Sequence, residues 1–361
     1  MSEAPRKDDT RAVILAEGAF GVLGSKTAAC IIRYRPQDVV AVIDSEKAGM
    51  TSGAVIGVGG DIPVVSSLDE AMAHRPNTLI IGIAPRGGGL PDAWRPLINS
   101  AIGKGLDIVS GLHFFISDDP EFSEAARANG VKIADLREVP SDIGISTCKA
   151  ADAKGSIILT VGTDCNVGKM TASMELTMEA RRRGFDAELI ATGQTGIYLT
   201  GHGLAIDRVV SDYVAGAAER LVVEADAPGR WLIMEGQGSL THPAYSGVAL
   251  GILHGAMPDC LVLCHQPSRR VVSGYDRALP ALKDVIELHE RLAKYVKPAP
   301  VVGLALNSFD LSDDDARRAC RDIEQDTGLP AVDPVRHGAG RLVEAIEEYL
   351  AGRCPSVGTE S

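Results

Sequence analysis

The sequence predicts an α/β protein that folds into two domains, each built around a mostly parallel sheet. Short apolar runs alternate with amphipathic stretches along most of the 361 residues, which is the pattern of repeated strand–helix units. The chain is also longer than one ordinary domain of about 150 residues. Apolar residues make up 45% of the chain and aromatic residues only 4%, so we expect aliphatic cores with strands buried on both faces.

The apolar runs place the strands, and a polar stretch between them places the domain boundary. In the first half we expect strands at residues 12–16, 39–43, 78–83 and 106–111. In the second half we expect them at residues 156–162, 187–192, 230–236, 260–265 and 300–306. Residues 137–155 carry Pro, Gly, Ser and Asp without an apolar period, so the boundary is expected near residue 152. The predicted domains are residues 1–152 and 153–361.

Composition and charge argue against several classes of function. The formal net charge of −12 disfavours nucleic acid as the main partner, because phosphate backbones bind to basic surfaces. No apolar run approaches the ~18 residues of a membrane-spanning helix. The seven cysteines show no repeated metal-ligand spacing, which is typical of reduced thiols in the cytoplasm. We therefore expect a cytoplasmic protein that acts on a small molecule, without nucleic acid, membrane or metal.

The strongest local signal is a glycine loop between a predicted strand and a predicted helix. Its sequence, GTDCNVGKMT, has the spacing of a phosphate-binding P-loop. Its glycines let backbone N–H groups turn toward a phosphate, and the next helix adds its positive N-terminal end. The predicted cofactor-binding residues are Gly162, Thr163, Asp164, Cys165, Asn166, Val167, Gly168, Lys169, Met170 and Thr171.

One residue of this loop departs from the usual P-loop pattern. The position after the lysine normally carries a Ser or Thr whose hydroxyl coordinates Mg²⁺, and here that position is Met170. Thr171 follows one residue later. The sequence therefore supports phosphate binding more strongly than metal-dependent phosphoryl transfer.

Polar residues follow two further strands of the second half. Glu235 ends the strand at 230–236, and Gln194 comes just after the strand at 187–192. Ligands of such sheets bind outside the carboxyl ends of the strands. Glu235 is therefore a candidate metal ligand or general base, with a structural loop hydrogen bond as the alternative. Gln194 is expected to line the same crevice.

The first half has its own glycine loop, in which Gly18, Gly21 and Gly24 follow a strand. Asp44 ends the next strand, where an acidic residue often binds a ribose hydroxyl. The glycine spacing is looser than a dinucleotide fingerprint, so cofactor contact and tight strand–helix packing both stay open. Arg86, in a second glycine cluster, is either an anion contact or an exposed loop residue.

Several of these stretches resemble known families. GTDCNVGKMT and EGQGS, which starts at Glu235, are similar to the corresponding elements of dethiobiotin synthetase and related P-loop enzymes. The whole chain resembles the D-glutamate N-acetyltransferase family, which joins a Rossmann-like N-terminal half to a P-loop C-terminal half. The matching stretches are AEGAFGVLGSKTA, GTDCNVGKMTASMEL, ATGQTGI, SDYVAGAAERL, EGQGSLTHPAYSG and GLPAVDPVRHG. The resemblance implies a Rossmann-like α/β domain followed by a P-loop NTPase-like, doubly wound α/β domain.

The resemblance also implies an acyltransferase of D-amino acid metabolism that moves acetyl from acetyl-CoA to the amino group of D-glutamate. Coenzyme A carries phosphates that a P-loop can hold without a metal-ligating hydroxyl. Acetyl transfer to an amine needs a base, for which Glu235 is the leading candidate and His242 the alternative. Because D-glutamate carries two carboxylates, Arg269 and Arg270, together with Gln194, are expected to bind it.

Two other functions stay open at this point. The first is an ATP- and Mg²⁺-dependent ligase or kinase of the dethiobiotin synthetase type, in which Thr171 and Glu235 would hold the metal. The second is a nucleotide-responsive regulatory protein without catalysis. In each case we expect a homo-oligomer, because aliphatic α/β proteins of this size often pair.

Overall fold

The structure, a computed structural model, describes residues 9–22, 24–83, 85 and 87–353. Arg86 lies outside the described residues. Two compact units make up the chain: Met1–Pro140 with Gly193–Arg208, and Ser141–Thr192 with Val209–Ser361. The first unit thus takes in a short segment from the second half of the sequence. The predicted domain boundary near residue 152 stays a prediction.

The first unit contains a six-stranded sheet in the order β3-β2-β1-β4-β5-β6, with parallel pairing throughout. This order is that of dinucleotide-binding doubly wound sheets. The strands are β1 Ala12–Leu15, β2 Val39–Ile43, β3 Val64–Val65, β4 Thr78–Ile81, β5 Asp107–Ser110 and β6 Ile133–Asp135. The helices are α1 Lys26–Tyr34, α2 Ser52–Ile56, α3 Leu68–Met72, α4 Arg95–Gly103, α5 Pro120–Asn129 and, later in the chain, α7 Gln194–Thr200.

The second unit contains another parallel six-stranded sheet, in the order β12-β11-β10-β7-β9-β8. Its strands are β7 Ser156–Gly162, β8 Ala187–Ile190, β9 Trp231–Met234, β10 Cys260–His265, β11 Val301–Leu306 and β12 Ala331–Val332. Its helices are α6 Lys169–Arg182, α8 Val214–Ala225, α9 Ser246–Ala256, α10 Leu282–Ala293, α11 Asp313–Thr327, α12 Pro334–His337 and α13 Gly340–Arg353.

The core of the second unit is aliphatic, as the composition predicts. Leu176 of α6 packs with Ile158 of β7 and Val262 of β10. Cys260 and Cys264 belong to the same buried cluster, since alternate residues of a strand face the same side. Strand β7 lies between β9 and β10, so the loops that follow these three strands meet at one edge of the sheet.

None of the described helices combines the length and the apolar character that crossing a bilayer requires.

Candidate functional site

The P-loop is a tight turn between β7 and α6, as the sequence predicts. Gly168 precedes the helix with a φ of 100°, and Asn166 has a φ of 60°. Glycine adopts this left-handed region without a steric penalty, and Asn tolerates it better than most residues. The loop therefore presents backbone N–H groups at the N-terminus of a 14-residue helix, which is the arrangement that binds phosphates.

Lys169 is buried within this loop, with 8% of its surface exposed. Its Nζ donates to the carbonyl oxygen of Asp164 at 2.9 Å. A Cβ added to Gly162 would lie 2.8 Å from that Nζ, and one added to Gly236 would lie 3.5 Å from the lysine Cδ. Burial lowers the pKa of the Lys169 ammonium, so an anion bound beside it would stabilise its charged form.

Asp164 fixes the shape of the loop from inside. Its side chain is fully buried, and it accepts from the backbone N–H of Cys165 at 2.7 Å and of Ser273 at 2.8 Å. The Arg269 guanidinium donates to it at 3.0 Å. Arg269 also donates to the Cys165 carbonyl at 2.5 Å and to Gln266 Oε1 at 2.7 Å. Arg269 thus holds the P-loop through two hydrogen bonds from Nη1, a role that the sequence did not indicate.

Arg270 lies next in the chain, and it is exposed. Its backbone carbonyl accepts from the N–H of Leu279 at 2.9 Å, and Val271 and Ala278 form an antiparallel bridge. Residues 270–279 are therefore a hairpin, which we call the 270s hairpin. The hairpin was not predicted from the sequence, because it is short and has no strand periodicity.

Glu235 lies one residue beyond β9 and is 8% exposed. Its Oε2 accepts from the Thr192 N–H at 3.2 Å, and it acts on the pKa of Lys169 as a nearby negative charge. Gly236, the next residue, donates its N–H to Thr160 Oγ1 at 3.1 Å. A Cβ on Gly236 would lie 1.8 Å from the Thr160 carbonyl oxygen. Glycine is thus needed there to bring Glu235 close to the P-loop lysine.

His242 is 3% exposed, and both of its ring nitrogens have backbone partners. Nδ1 accepts from the Ala244 N–H at 3.2 Å, and Nε2 lies 3.1 Å from the Ser273 carbonyl oxygen. Because Nδ1 is the acceptor, Nε2 carries the hydrogen and donates. In this tautomer both ring nitrogens of His242 are engaged by the backbone, whereas Glu235 is a carboxylate beside the lysine.

His242, Asp164 and Cys165 each place a possible metal-ligand atom within 4.8 Å of the others. His242 Nε2 lies 4.0 Å from Asp164 Oδ1, but in this tautomer it offers a hydrogen and not a lone pair. Asp164 is already paired with Arg269. The donor set therefore fits a hydrogen-bonded brace of the P-loop better than a cation site.

Two further site residues were predicted from the sequence. Gln194 begins α7 in the first unit, and a Cβ on Gly111 would lie 2.7 Å from its Cγ. Thr171 is the third residue of α6, and it points about 100° around the helix from Met170. It does not occupy the position from which a P-loop hydroxyl reaches Mg²⁺.

A buried histidine, His289 of α10, was not found from the sequence. It is 1% exposed, and its Nδ1 donates to the Val285 carbonyl at 2.7 Å. It lines a small cavity together with Gly162 and residues 236–239. Burial lowers its pKa to about 4, so it is neutral at pH 7. A lone histidine in an amphipathic helix carries no motif that would have revealed this position.

Comparison with known proteins confirms the predicted domain types. A family model described as the DUF1611_C P-loop domain of unknown function matches residues 144–343, and the DUF1611_N Rossmann-like domain matches residues 45–139. A crystal structure of a DUF1611 family protein from Anabaena variabilis ATCC 29413 superposes with a TM-score of 0.89 at 36% identity. That match covers 94% of this chain and 99% of the other.

Curated relatives confirm the resemblance as well. A D-glutamate N-acetyltransferase from Tritonibacter scottomollicae is 37% identical over 340 residues, which is 94% of this chain and 98% of the relative. A protein of the same name from a Pseudoalteromonas species is 40% identical over 279 residues, 77% of this chain and 83% of the relative. The chain therefore belongs to the DUF1611 family, and it is similar over most of its length to these two D-glutamate N-acetyltransferases.

Proposed function

We propose that the chain is an N-acetyltransferase that moves the acetyl group of acetyl-CoA to the amino group of a D-amino acid, D-glutamate first among them. The observation that carries the proposal is the 37% identity to a D-glutamate N-acetyltransferase over 94% of this chain. The P-loop supplies a physical reason, since it offers a buried cation and a helix N-terminus to the phosphates of coenzyme A.

The P-loop holds the donor in this proposal without transferring a phosphoryl group. Met170 stands where a metal-ligating hydroxyl is usual, and Thr171 points to another side of α6. Lys169 can still exchange its bond to the Asp164 carbonyl for a phosphate oxygen. The loop is thus suited to anchoring an acyl carrier, and less suited to Mg²⁺-dependent chemistry.

Glu235 is the base that we propose for the amine. The substrate ammonium must lose a proton before its nitrogen attacks the thioester carbonyl, and the resulting oxyanion needs hydrogen-bond donors. Glu235 is a nearly buried carboxylate beside Lys169, and the backbone of Gly236–Ser239 follows directly with N–H groups. The thiolate of coenzyme A then leaves as the C–S bond breaks.

The carboxylates of the amino acid are assigned to Arg270 as a proposal, and the substrate role of Gln194, in the first unit, stays a prediction from the sequence. Arg270 is exposed and next to the P-loop brace, so its guanidinium is available. The Arg269 guanidinium donates to Asp164, Cys165 and Gln266. We therefore assign Arg269 to holding the P-loop and not to binding the substrate. His242 stays a second candidate base, weakened by its two backbone partners.

To test the proposal, the protein is incubated with D-glutamate and either acetyl-CoA or ATP with Mg²⁺, and the release of free thiol and of ADP is measured. We expect thiol release that requires D-glutamate and yields N-acetyl-D-glutamate. L-Glutamate is the matched control for chirality. ADP release without thiol would instead support a ligase or kinase, and ligand binding without either product would support a regulatory protein.

We also propose that the protein acts in the cytoplasm as a homo-oligomer. None of the described cysteines forms a disulfide bond, which fits a reducing compartment. Light scattering of the purified chain tests the oligomeric state, and a monomeric mass at working concentration would contradict it.

A further inference from the structure

Two exposed tyrosines lie close to the P-loop in the second unit. Tyr245 is 52% exposed and Tyr275 is 42% exposed. The ring of the buried His242 lies between them, 4.8 Å from the Tyr245 ring and 5.3 Å from the Tyr275 ring between centroids. We call these three residues the aromatic patch. A patch of exposed large aromatic side chains often marks a surface that binds a ligand or another protein.

The patch is joined to the P-loop by hydrogen bonds. Ser273, in the same hairpin as Tyr275, donates its N–H to Asp164 at 2.8 Å and accepts from His242 at 3.1 Å. Thr241, next to His242, donates its hydroxyl to the Thr163 carbonyl at 3.3 Å. The position of the patch is therefore set by the same loop that is expected to hold phosphate.

The patch is also in contact with the loop of the proposed base. Gly238 has a φ of 63°, and a Cβ there would lie 2.3 Å from the Tyr245 carbonyl oxygen and 3.0 Å from its Cβ. Tyr245 thus packs directly on the segment that follows Glu235. The aromatic patch borders both the place where phosphate would bind and the place where the thioester would react.

We propose that Tyr245 and Tyr275 contact the uncharged arm of acetyl-CoA that links its phosphates to its thioester. This inference rests on the proposed function. An acyl carrier has its charges at one end, its reactive group at the other and an apolar, amide-containing chain between them. Exposed aromatic rings that border an anion site and the loop of a carboxylate suit that chain, whereas the two carboxylates of D-glutamate gain little from them. The patch would then select an acyl carrier over a plain nucleotide.

The test compares acetyl-CoA with ADP, which keeps the phosphates and lacks the arm. In Tyr245→Ala and Tyr275→Ala we expect the KM for acetyl-CoA to rise about tenfold, equivalent to about 1.4 kcal/mol. The inhibition constant of ADP and the KM for D-glutamate should stay within about twofold. Tyr275→Phe keeps the ring, so its rise in the KM for acetyl-CoA should be smaller than that of Tyr275→Ala. Tyr295→Ala is the matched control, since Tyr295 is 75% exposed and lies outside the patch.

Several results would overturn the inference. They are an unchanged KM for acetyl-CoA in both alanine variants, an equal rise in the KM for acetyl-CoA and the ADP inhibition constant, and conversion to a smaller oligomer. The last result would assign the patch to a second copy of the chain. If the wild type shows no acetyl transfer, the proposed function fails. Calorimetry with coenzyme A and ADP then still tests the patch: a selective loss of coenzyme A binding supports it, and equal binding overturns it.

Discussion

Each unit has a glycine loop after the first strand of a parallel six-stranded sheet, and the two loops use their charged groups differently. In the first unit, Asp44 is fully buried and accepts from the Phe20 N–H at 2.8 Å, from the Glu46 N–H at 3.0 Å and from Lys47 Nζ at 3.4 Å. In the second unit, Lys169 is buried, and among the described residues its hydrogen-bond acceptor is the backbone carbonyl of Asp164. One charge is satisfied by the protein itself, and the other is open to an external anion.

The difference shows what glycine spacing does and does not indicate. In both loops the glycines mark places where the backbone turns or approaches a neighbour closely, and a Cβ on Gly24 would lie 2.4 Å from the Ala19 carbonyl. Such closeness serves packing as well as binding. The first sheet even has the strand order of dinucleotide-binding folds, yet Asp44 is engaged as a helix cap. A buried charge that is hydrogen-bonded to a backbone carbonyl, and not directly to a charged side chain, is the better indicator of a ligand.

The largest effect expected from this comparison is that of Lys169→Ala. Removing the buried ammonium should lower kcat/KM for acetyl-CoA by at least about a hundredfold, because a buried phosphate would lose its charge partner. Lys47→Ala, in the loop region of the first unit, is the matched control and should keep full activity. Steady-state thiol release measures both. Equal activity of the two variants would remove the P-loop from the reaction.

The two carboxylates that follow strands can be compared through the variants Glu235→Gln and Asp44→Asn. The first change should lower kcat by about a hundredfold or more with little change in either KM, as expected for a general base. The second should leave kcat unchanged and cost about 1–3 kcal/mol of stability, because Asp44 accepts several buried hydrogen bonds. The kinetics of both variants measure kcat and KM, and their thermal unfolding measures the change in stability. A normal kcat in Glu235→Gln would show that Glu235 is not the base, and His242 or water would then be the candidate.

A comparison of the variants Arg269→Ala and Arg270→Ala separates stabilisation of the P-loop from binding of the substrate. Without Arg269, Asp164 loses its cation and the P-loop loses a bond at Cys165, so the KM for acetyl-CoA should rise about tenfold. Without Arg270, the KM for D-glutamate should rise instead. Initial rates over both substrate concentrations give the two constants. A rise confined to D-glutamate in Arg269→Ala would restore that arginine to the substrate site.

The smallest effect concerns pH and stability in the second unit. Burial lowers the pKa of His289 and of His265 to about 4. In the unfolded chain these groups take up protons below about pH 6.5, whereas in the folded chain they stay neutral until about pH 4. The stabilisation is therefore complete above pH 6.5 and is lost as the pH falls toward 4. The expected slope is up to about 1.4 kcal/mol per pH unit for each histidine.

Urea unfolding at pH 7.5 and pH 5 measures this dependence. His289→Gln should flatten it. An unchanged slope in His289→Gln would show that this histidine takes up protons in the folded protein as readily as in the unfolded chain.

Much of the fold was available from the sequence. The predicted strand at 156–162 coincides with β7, and the strand at 260–265 coincides with β10. The strands β3, β6 and β12 were missed, because runs of two or three residues carry no period. The predicted strand at 230–236 was too long, because Glu235 and Gly236 leave the ladder to form the site loop.

The sequence by itself determined the P-loop, because its glycines, its lysine and its flanking strand and helix are contiguous and local preferences record them. Only the tertiary structure decided what surrounds that loop. Arg269 and Ser273 reach Asp164 across more than a hundred residues, and His289 enters its cavity from a separate helix. These contacts arise because β7 pairs with β9 and β10. This order of strands is fixed by the packing of the whole sheet, and no single segment of the chain determines it.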